Sequence, residues 1–179
     1  YFEGTLARQG DSLRRLPTGH AAFVPSGEIH GTITRGTGKA FLISFQCPPD
    51  FRLYTGGRDS SRAGAEPPKG VITPGAVRLI EFGNKDGFFV HPGMGSERVA
   101  VAHRRLEPGG WFPAELPASG EGMLFVWKGS VSVEHASGTY PVPERSLFFA
   151  VDSGKVTVTN STSQPAVVIQ IQSPPGSAK

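Results

Sequence analysis

An all-β protein made of two related strand units, the first of them incomplete, is what this 179-residue sequence predicts. Three observations carry that expectation. The 24 glycines and 16 prolines leave few stretches long enough for a helix of average length, about eleven to twelve residues. The longest stretch free of both, residues 96–107, alternates Val99, Val101 and His103 with Ala100, Ala102 and Arg104, which is the period of a strand. The third is a recurrence: Leu42-Ile43-Ser44-Phe45-Gln46-Cys47-Pro48-Pro49 returns as Val168-Ile169-Gln170-Ile171-Gln172-Ser173-Pro174-Pro175, 126 residues later.

Along the chain, the strand candidates are 21–24, 39–46, 77–82, 123–127, 131–135, 146–151, 155–159 and 166–172. Each is β-branched or aromatic and bounded by turn residues. Short strands so regularly punctuated point to a sandwich or barrel. Residues 50–74 differ: Gly56-Gly57, Gly64, Pro67-Pro68, Gly70 and Pro74 stand among few apolar residues, which reads as a connector with one short helical turn near 50–54. The repeat also carries Phe23 onto Phe149, Val24 onto Ala150 and His30 onto Val156. Tyr1-Phe2-Glu3-Gly4 matches Val126-Trp127-Lys128-Gly129 at nearly the same offset. The expected organisation is 1–50 as the C-terminal half of a first unit, 51–75 as connector, and 76–179 as a complete second unit.

Composition excludes several classes of function. A net charge of +3 and a pI near 9.3 permit anionic ligands, but the basic residues are scattered, with Arg14-Arg15 and Arg104-Arg105 the only basic doublets. A nucleic-acid surface would be a basic stripe with interleaved aromatics, so no nucleic-acid partner is expected. No apolar run approaches the roughly 18 residues of a membrane-spanning helix, and no membrane partner is expected either. The lone Cys47 excludes an internal disulfide framework. No charged-then-apolar leader is visible at Tyr1, and the expected compartment is the cytoplasm.

Gly19, five residues, Pro25, Ser26, Gly27, two residues, His30 and then Thr34 resemble the second motif of the cupin superfamily, written G-x5-P-x-G-x2-H-x3-N, with Thr34 in place of the final Asn. Pro25 and Gly27 suit a tight turn between strands, which would aim His30 into a barrel mouth as a neutral imidazole ligand. The resemblance implies small jelly-roll barrels of two packed antiparallel sheets, and a divalent metal (Zn, Fe, Mn or Ni) in the first barrel held by His30. The other ligands come from the first cupin motif, G-x5-H-x-H-x4-E-x6-G. Its closing glycine alone is present in the first unit, as Gly4.

In the second unit that motif can be laid from Gly109. Glu115 and Pro117 then stand where the two histidines belong, Gly122 where the glutamate belongs, and Gly129 closes the motif. The second motif there has Arg145, Val151, Ser153 and Val156 and keeps only Asn160. The sequence thus resembles a bicupin with a degenerate second barrel, in which no metal is expected. A narrower similarity, through residues 25–30, 42–46 and 51–58, is to the stretch around the last zinc ligand of type I mannose-6-phosphate isomerases. It implies His30 as zinc ligand and Arg52 or Arg58 beside a sugar phosphate. Gly31 and Thr32 depart from that family's small apolar pair.

Other candidates carry weaker chemistry. His103 alternates with valines and is either a ligand-facing residue of the second barrel or a satisfied core histidine. Trp127 is a core aromatic or a stacking wall for a ring. Glu115 and Glu121 are surface carboxylates unless buried as a pair. Cys47, at a strand end with Ser173 as its repeat, reads as a small buried side chain. Two functions remain: a metal-dependent small-molecule enzyme of oxygenase or sugar-phosphate isomerase type, or a non-catalytic bicupin used for ligand binding or assembly. Its catalytic residues are not identified by sequence. Either way the first unit needs strands from elsewhere, so a further polypeptide or a second copy is the expected partner.

Overall fold

Gly- and Pro-punctuated runs of β-branched and aromatic residues have formed strands throughout the described part of the chain. The computed structural model describes residues 5–9, 12–28, 30–34, 41–47, 70–83, 85–116, 120–150 and 154–175. Their regular elements are fourteen strands and one 3-10 turn at Pro92–Met94. Among the described residues no helix is long and apolar enough to cross a membrane. The chain divides into two units, Tyr1–Glu81 and Phe82–Lys179.

The second unit is a jelly roll. Its strands are β6 (Gly87–Val90), β7 (Ala100–Leu106), β8 (Trp111–Leu116), β9 (Glu121–Lys128), β10 (Val131–His135), β11 (Gly138–Val142), β12 (Leu147–Ala150), β13 (Gly154–Thr159) and β14 (Ala166–Ser173). They form a five-stranded sheet of order β12-β9-β14-β7-β6 and a four-stranded sheet of order β11-β10-β13-β8. From β7 onward the chain crosses repeatedly between the sheets, so neighbours in space are distant in sequence. Gly129 permits the crossing from β9 to β10: its φ is +77°, and a β-carbon there would meet the Pro165 carbonyl oxygen at 2.9 Å.

The two inner faces close on one apolar core. Leu124, Val126, Ala150, Ala166, Val168 and Leu106 of the five-stranded sheet meet Ala114, Leu116, Val131, Val133, Val142, Val156 and Val158 of the other, with Phe112 and Phe148 packed against them. Period two explains why: in β9 Gly122, Leu124 and Val126 face inward, and Met123, Phe125 and Trp127 face the other way.

The first unit holds β1 (Thr5–Gln9), β2 (Ser12–Arg15), β3 (His20–Phe23), β4 (Gly31–Thr34) and β5 (Arg78–Glu81), in sheets of order β2-β1-β4 and β3-β5. The repeat extends to strand register. Leu6 faces Arg15, Ala7 faces Arg14, Arg8 faces Leu13 and Gln9 faces Ser12; at an offset of 126, Ser132 faces Pro141, Val133 faces Tyr140, Glu134 faces Thr139 and His135 faces Gly138. Likewise Leu6–Ile33, Ala7–Thr32 and Arg8–Gly31 correspond to Ser132–Thr159, Val133–Val158 and Glu134–Thr157. Even the turn is repeated: His20 N–H donates to the Pro17 carbonyl and Ser146 N–H to that of Pro143, both at 3.2 Å. One slip of register would turn every side chain to the opposite face, so such agreement is a property of the backbone plan rather than of composition.

One strand expectation changes. Residues 41–46 carry no strand, although their repeat partner β14 sits centrally in its sheet. β14 is held on both sides, between β7 and β9. β5 pairs with β3, Ala21 facing Ile80 and Phe23 facing Arg78, and both strands fall in the unit Tyr1–Glu81.

Candidate functional site

The motif loop of the first unit is built from two turns. Thr18-Gly19 leads into β3 and Ser26-Gly27 leads out toward β4; Gly27, at φ +83°, adopts the left-handed conformation that the tight turn requires. Glu28 N–H closes this turn on the Pro25 carbonyl at 3.3 Å. The loop is tied to the segment before β5: Val71 N–H donates to the Gly27 carbonyl at 3.0 Å, and Thr73 N–H donates to Glu28 Oε2 at 2.9 Å.

His30 projects from the end of this loop and is exposed. Its Nδ1–H donates to the Glu28 carbonyl at 3.0 Å. A carbonyl can only accept, so Nδ1 carries a proton, as in the tautomer in which Nε2 is the nitrogen that binds a metal. Among the described residues, however, no three His, Cys, Asp or Glu side chains gather at a spacing suited to a metal. The described residues alone therefore do not fit a metal centre, which needs three or four donors. Arg52 and Arg58 lie outside the described residues.

The second unit shows what has happened to the corresponding positions. Val156, the repeat partner of His30, is 1% exposed and part of the apolar core. Gly122, in the glutamate slot, carries the Leu116 side chain where its own β-carbon would stand. Glu115 faces solvent beside Lys155, Oε1 to Nζ 3.9 Å, and Glu121 is exposed. These residues do not fit a metal either. Asn160, which the motif retains, is fully buried as a fastener: its Nδ2 donates to the carbonyls of Leu106 (3.1 Å) and Gln164 (2.8 Å), and its Oδ1 accepts from Thr162 N–H (3.0 Å) and Oγ1 (2.7 Å).

His103 and Trp127 both lie on the face of the five-stranded sheet opposite the core. His103, 4% exposed, stacks on Phe82 with centroids 5.3 Å apart, meets the edge of Phe89, and donates from Nδ1 to the Lys85 carbonyl at 2.9 Å. Burial lowers its pKa below the usual value, against the Lys85 carbonyl and the Asp86 carboxylate, which favour the charged form; Arg105 works with burial. Trp127 packs edge-on against Phe125 at 6.2 Å. Neither lines the barrel interior.

The polar groups that do face the interior are Arg104, Gln170 and Gln172, on the face that carries Val126 and Val168. The Gln172 amide donates to the Glu115 carbonyl. Sequence reading passed over all three. The alternation that placed His103 on one face of β7 places Arg104 on the other, and that was the available signal.

No known protein-family profile matches the chain, and no curated protein matches it. Among solved structures it is similar to a cupin domain from Bordetella pertussis Tohama I (17% identity, 50% of this chain, 91% of that one, TM-score 0.40). It is also similar to a double-stranded β-helix protein from Klebsiella pneumoniae subsp. pneumoniae MGH 78578 (14% identity, 53% and 79%, TM-score 0.45). A third is a sugar phosphate isomerase of the cupin superfamily from Silicibacter pomeroyi DSS-3 (19% identity, 47% and 56%, TM-score 0.40).

Proposed function

We propose that the chain is a bicupin that handles a small molecule, with a second barrel that does no metal chemistry and a first unit that keeps the ancestral site around His30. The observation that carries this reading is the equivalence of His30 and Val156. The two stand 126 residues apart in units whose strands pair in the same register. In the second unit that position is sealed in apolar packing; in the first it holds an exposed imidazole whose Nδ1 is committed to Glu28. The remaining donors, and Arg52 and Arg58 as contacts to an anionic substrate, belong to parts of the protein outside the described residues. A divalent metal there would act as a Lewis acid. A further polypeptide or a second copy of the chain completes the first unit's sheets and covers their edges.

Elemental analysis of the purified full-length protein and of its His30→Ala variant tests the site. Near-stoichiometric metal in the first, lost in the second, supports it. Metal absent from both favours the other reading, a non-catalytic bicupin that binds ligands or assembles. Sedimentation tests the partner: a monomer that exposes no apolar surface would count against it.

A further inference from the structure

We infer that the second barrel binds a small organic carboxylate at the side of the sandwich where the edge strands β6 and β8 lie, gripped by Arg104 and Gln170. Register sets the geometry. Phe88, Ala102, Gln170 and Leu124 stand opposite one another across β6, β7, β14 and β9, so all four project from the inner face. Arg104 springs from the next row, opposite Val168. Its guanidinium leans over the ring of Phe88, with Cζ 5.6 Å from the centroid, on the β6 side of the row whose β14 position is Gln170. Phe112, from the opposing sheet, covers it at 5.7 Å. Ala102, between Phe88 and Gln170 in that row, contributes only a methyl group.

Neither side chain finds a partner among the described residues, and in Arg104 one nitrogen is also sealed from solvent. The Nε–H of Arg104 is sealed from solvent without an acceptor, and among the described residues the side chain makes no ion pair or hydrogen bond. The ion pairs among this unit's described residues go elsewhere, Arg105 to Glu107, Arg145 to Glu144 and Lys155 to Glu115. Gln170 is 4% exposed, and its carboxamide has no hydrogen bond to a described residue. A buried donor without an acceptor is costly, and natural proteins rarely leave one without a ligand, ion or water to meet it. Two unpaired groups on diagonal positions of one face, a cation with one sealed N–H and an amide, match a planar carboxylate: the guanidinium fork takes its two oxygens and the amide N–H adds a third donor. The flanking phenyl rings suit an apolar or aromatic body on the acid, which favours an organic acid over inorganic phosphate. The site shares no residue with the one proposed around His30 and stands or falls separately.

The test is titration calorimetry and thermal denaturation of the full chain at constant ionic strength, with sodium benzoate and sodium acetate as probes and sodium phosphate and chloride as comparisons. Expected are saturable binding of benzoate at one site per chain, with a rise in Tm, and weaker binding of acetate. Arg104→Met, which keeps the apolar stem, should weaken benzoate at least tenfold; Gln170→Leu should weaken it several-fold. Arg104→Lys keeps charge but loses the fork and should fall between. Absence of saturable binding, equal binding by Arg104→Met, or phosphate and chloride acting as well as benzoate would each overturn the proposal. Should Arg104→Met fail to fold, an undiminished affinity in Arg104→Lys would overturn it equally.

Discussion

The Leu116 side chain occupies the space in which a β-carbon on Gly122 would stand. Both residues face the core of the second unit, Leu116 from β8 and Gly122 from β9, whose Gly122 also faces Ala150 of β12. Position 122 therefore has no room for a side chain of its own, and Leu116 fills that space instead. Apolar filling stabilises this barrel, since a cavity in its place would cost free energy in proportion to its volume.

That relationship makes the two positions energetically coupled. Gly122→Ala should destabilise the protein by about 1–3 kcal/mol through overpacking. Leu116→Ala should cost about 2–5 kcal/mol by leaving a cavity. In the double variant the new methyl group partly fills the space the leucine vacated, so the loss should be smaller than the sum by about 1 kcal/mol or more. Urea denaturation of all four proteins measures this. Strict additivity would mean that Leu116 relaxes away from Gly122 at no cost.

Val156 and His30 should respond in opposite ways. Val156→Ala removes two buried methyl groups and should cost about 2 kcal/mol. His30→Ala should change stability by less than about 0.5 kcal/mol, because the imidazole is exposed and makes one local hydrogen bond. Equilibrium denaturation of the two variants separates the outcomes; a large loss from His30→Ala would give that residue a structural task instead.

Much of the second unit could be read directly from residues. Its strands are β-branched runs between Gly, Pro and Asn, and 131–135 in the sequence is β10 in the structure. Harder to see were β8, interrupted by Pro113, and β11, whose Gly138, Thr139, Tyr140 and Pro141 lack an apolar alternation. Both are edge strands, where a proline removes no ladder bond that a neighbour needs. In the first unit β1, β2 and β4 were missed because Arg8, Arg14 and Arg15 obscure their periodicity; only the register shared with β10, β11 and β13 shows what they are. The opposite error befell 39–46, which has ideal strand composition but no strand in its described part. The candidate site divides similarly. The motif spacing located the turns at Gly19 and Gly27, whereas the inward arginine of β7 is invisible unless one asks which face each residue of a strand takes.

Arg145 offers a test of the repeat at the level of one dihedral angle. Its φ is +62°, the single positive value among described non-glycine residues, and its repeat partner is Gly19, at +79°. The turn plan has been kept while the residue that suited it has been replaced. Its N–H still donates to the Val126 carbonyl at 2.7 Å, so the backbone cannot relax without breaking that bond. A non-glycine residue held there costs about 1–3 kcal/mol, and glycine returns about 0.5–1 kcal/mol of this as chain entropy on folding. Arg145→Gly should therefore raise stability by about 0–2.5 kcal/mol, measured as a shift in denaturation midpoint. A loss would mean that the arginine side chain contributes more than its backbone costs.

The buried histidine of β7 should make the second unit sensitive to mild acid. Burial is the largest influence on His103 and lowers its pKa in the folded chain, whereas in the unfolded chain it titrates near the ordinary value of about 6.5. Protonation therefore favours the unfolded state. The stability that His103 contributes is complete above about pH 6.5 and is lost progressively as pH falls through the lowered folded pKa. The structure gives the physical reason: an imidazolium would sit stacked on Phe82 and edge-on to Phe89 with only the Lys85 carbonyl as acceptor and Asp86 as the nearest favourable charge. Denaturant unfolding between pH 7.5 and 5 should show the wild type losing stability faster than His103→Gln, whose amide does not titrate. Parallel pH profiles for the two proteins would show that His103 charges as readily in the folded chain as in the unfolded one, and the aromatic enclosure would then carry no electrostatic cost.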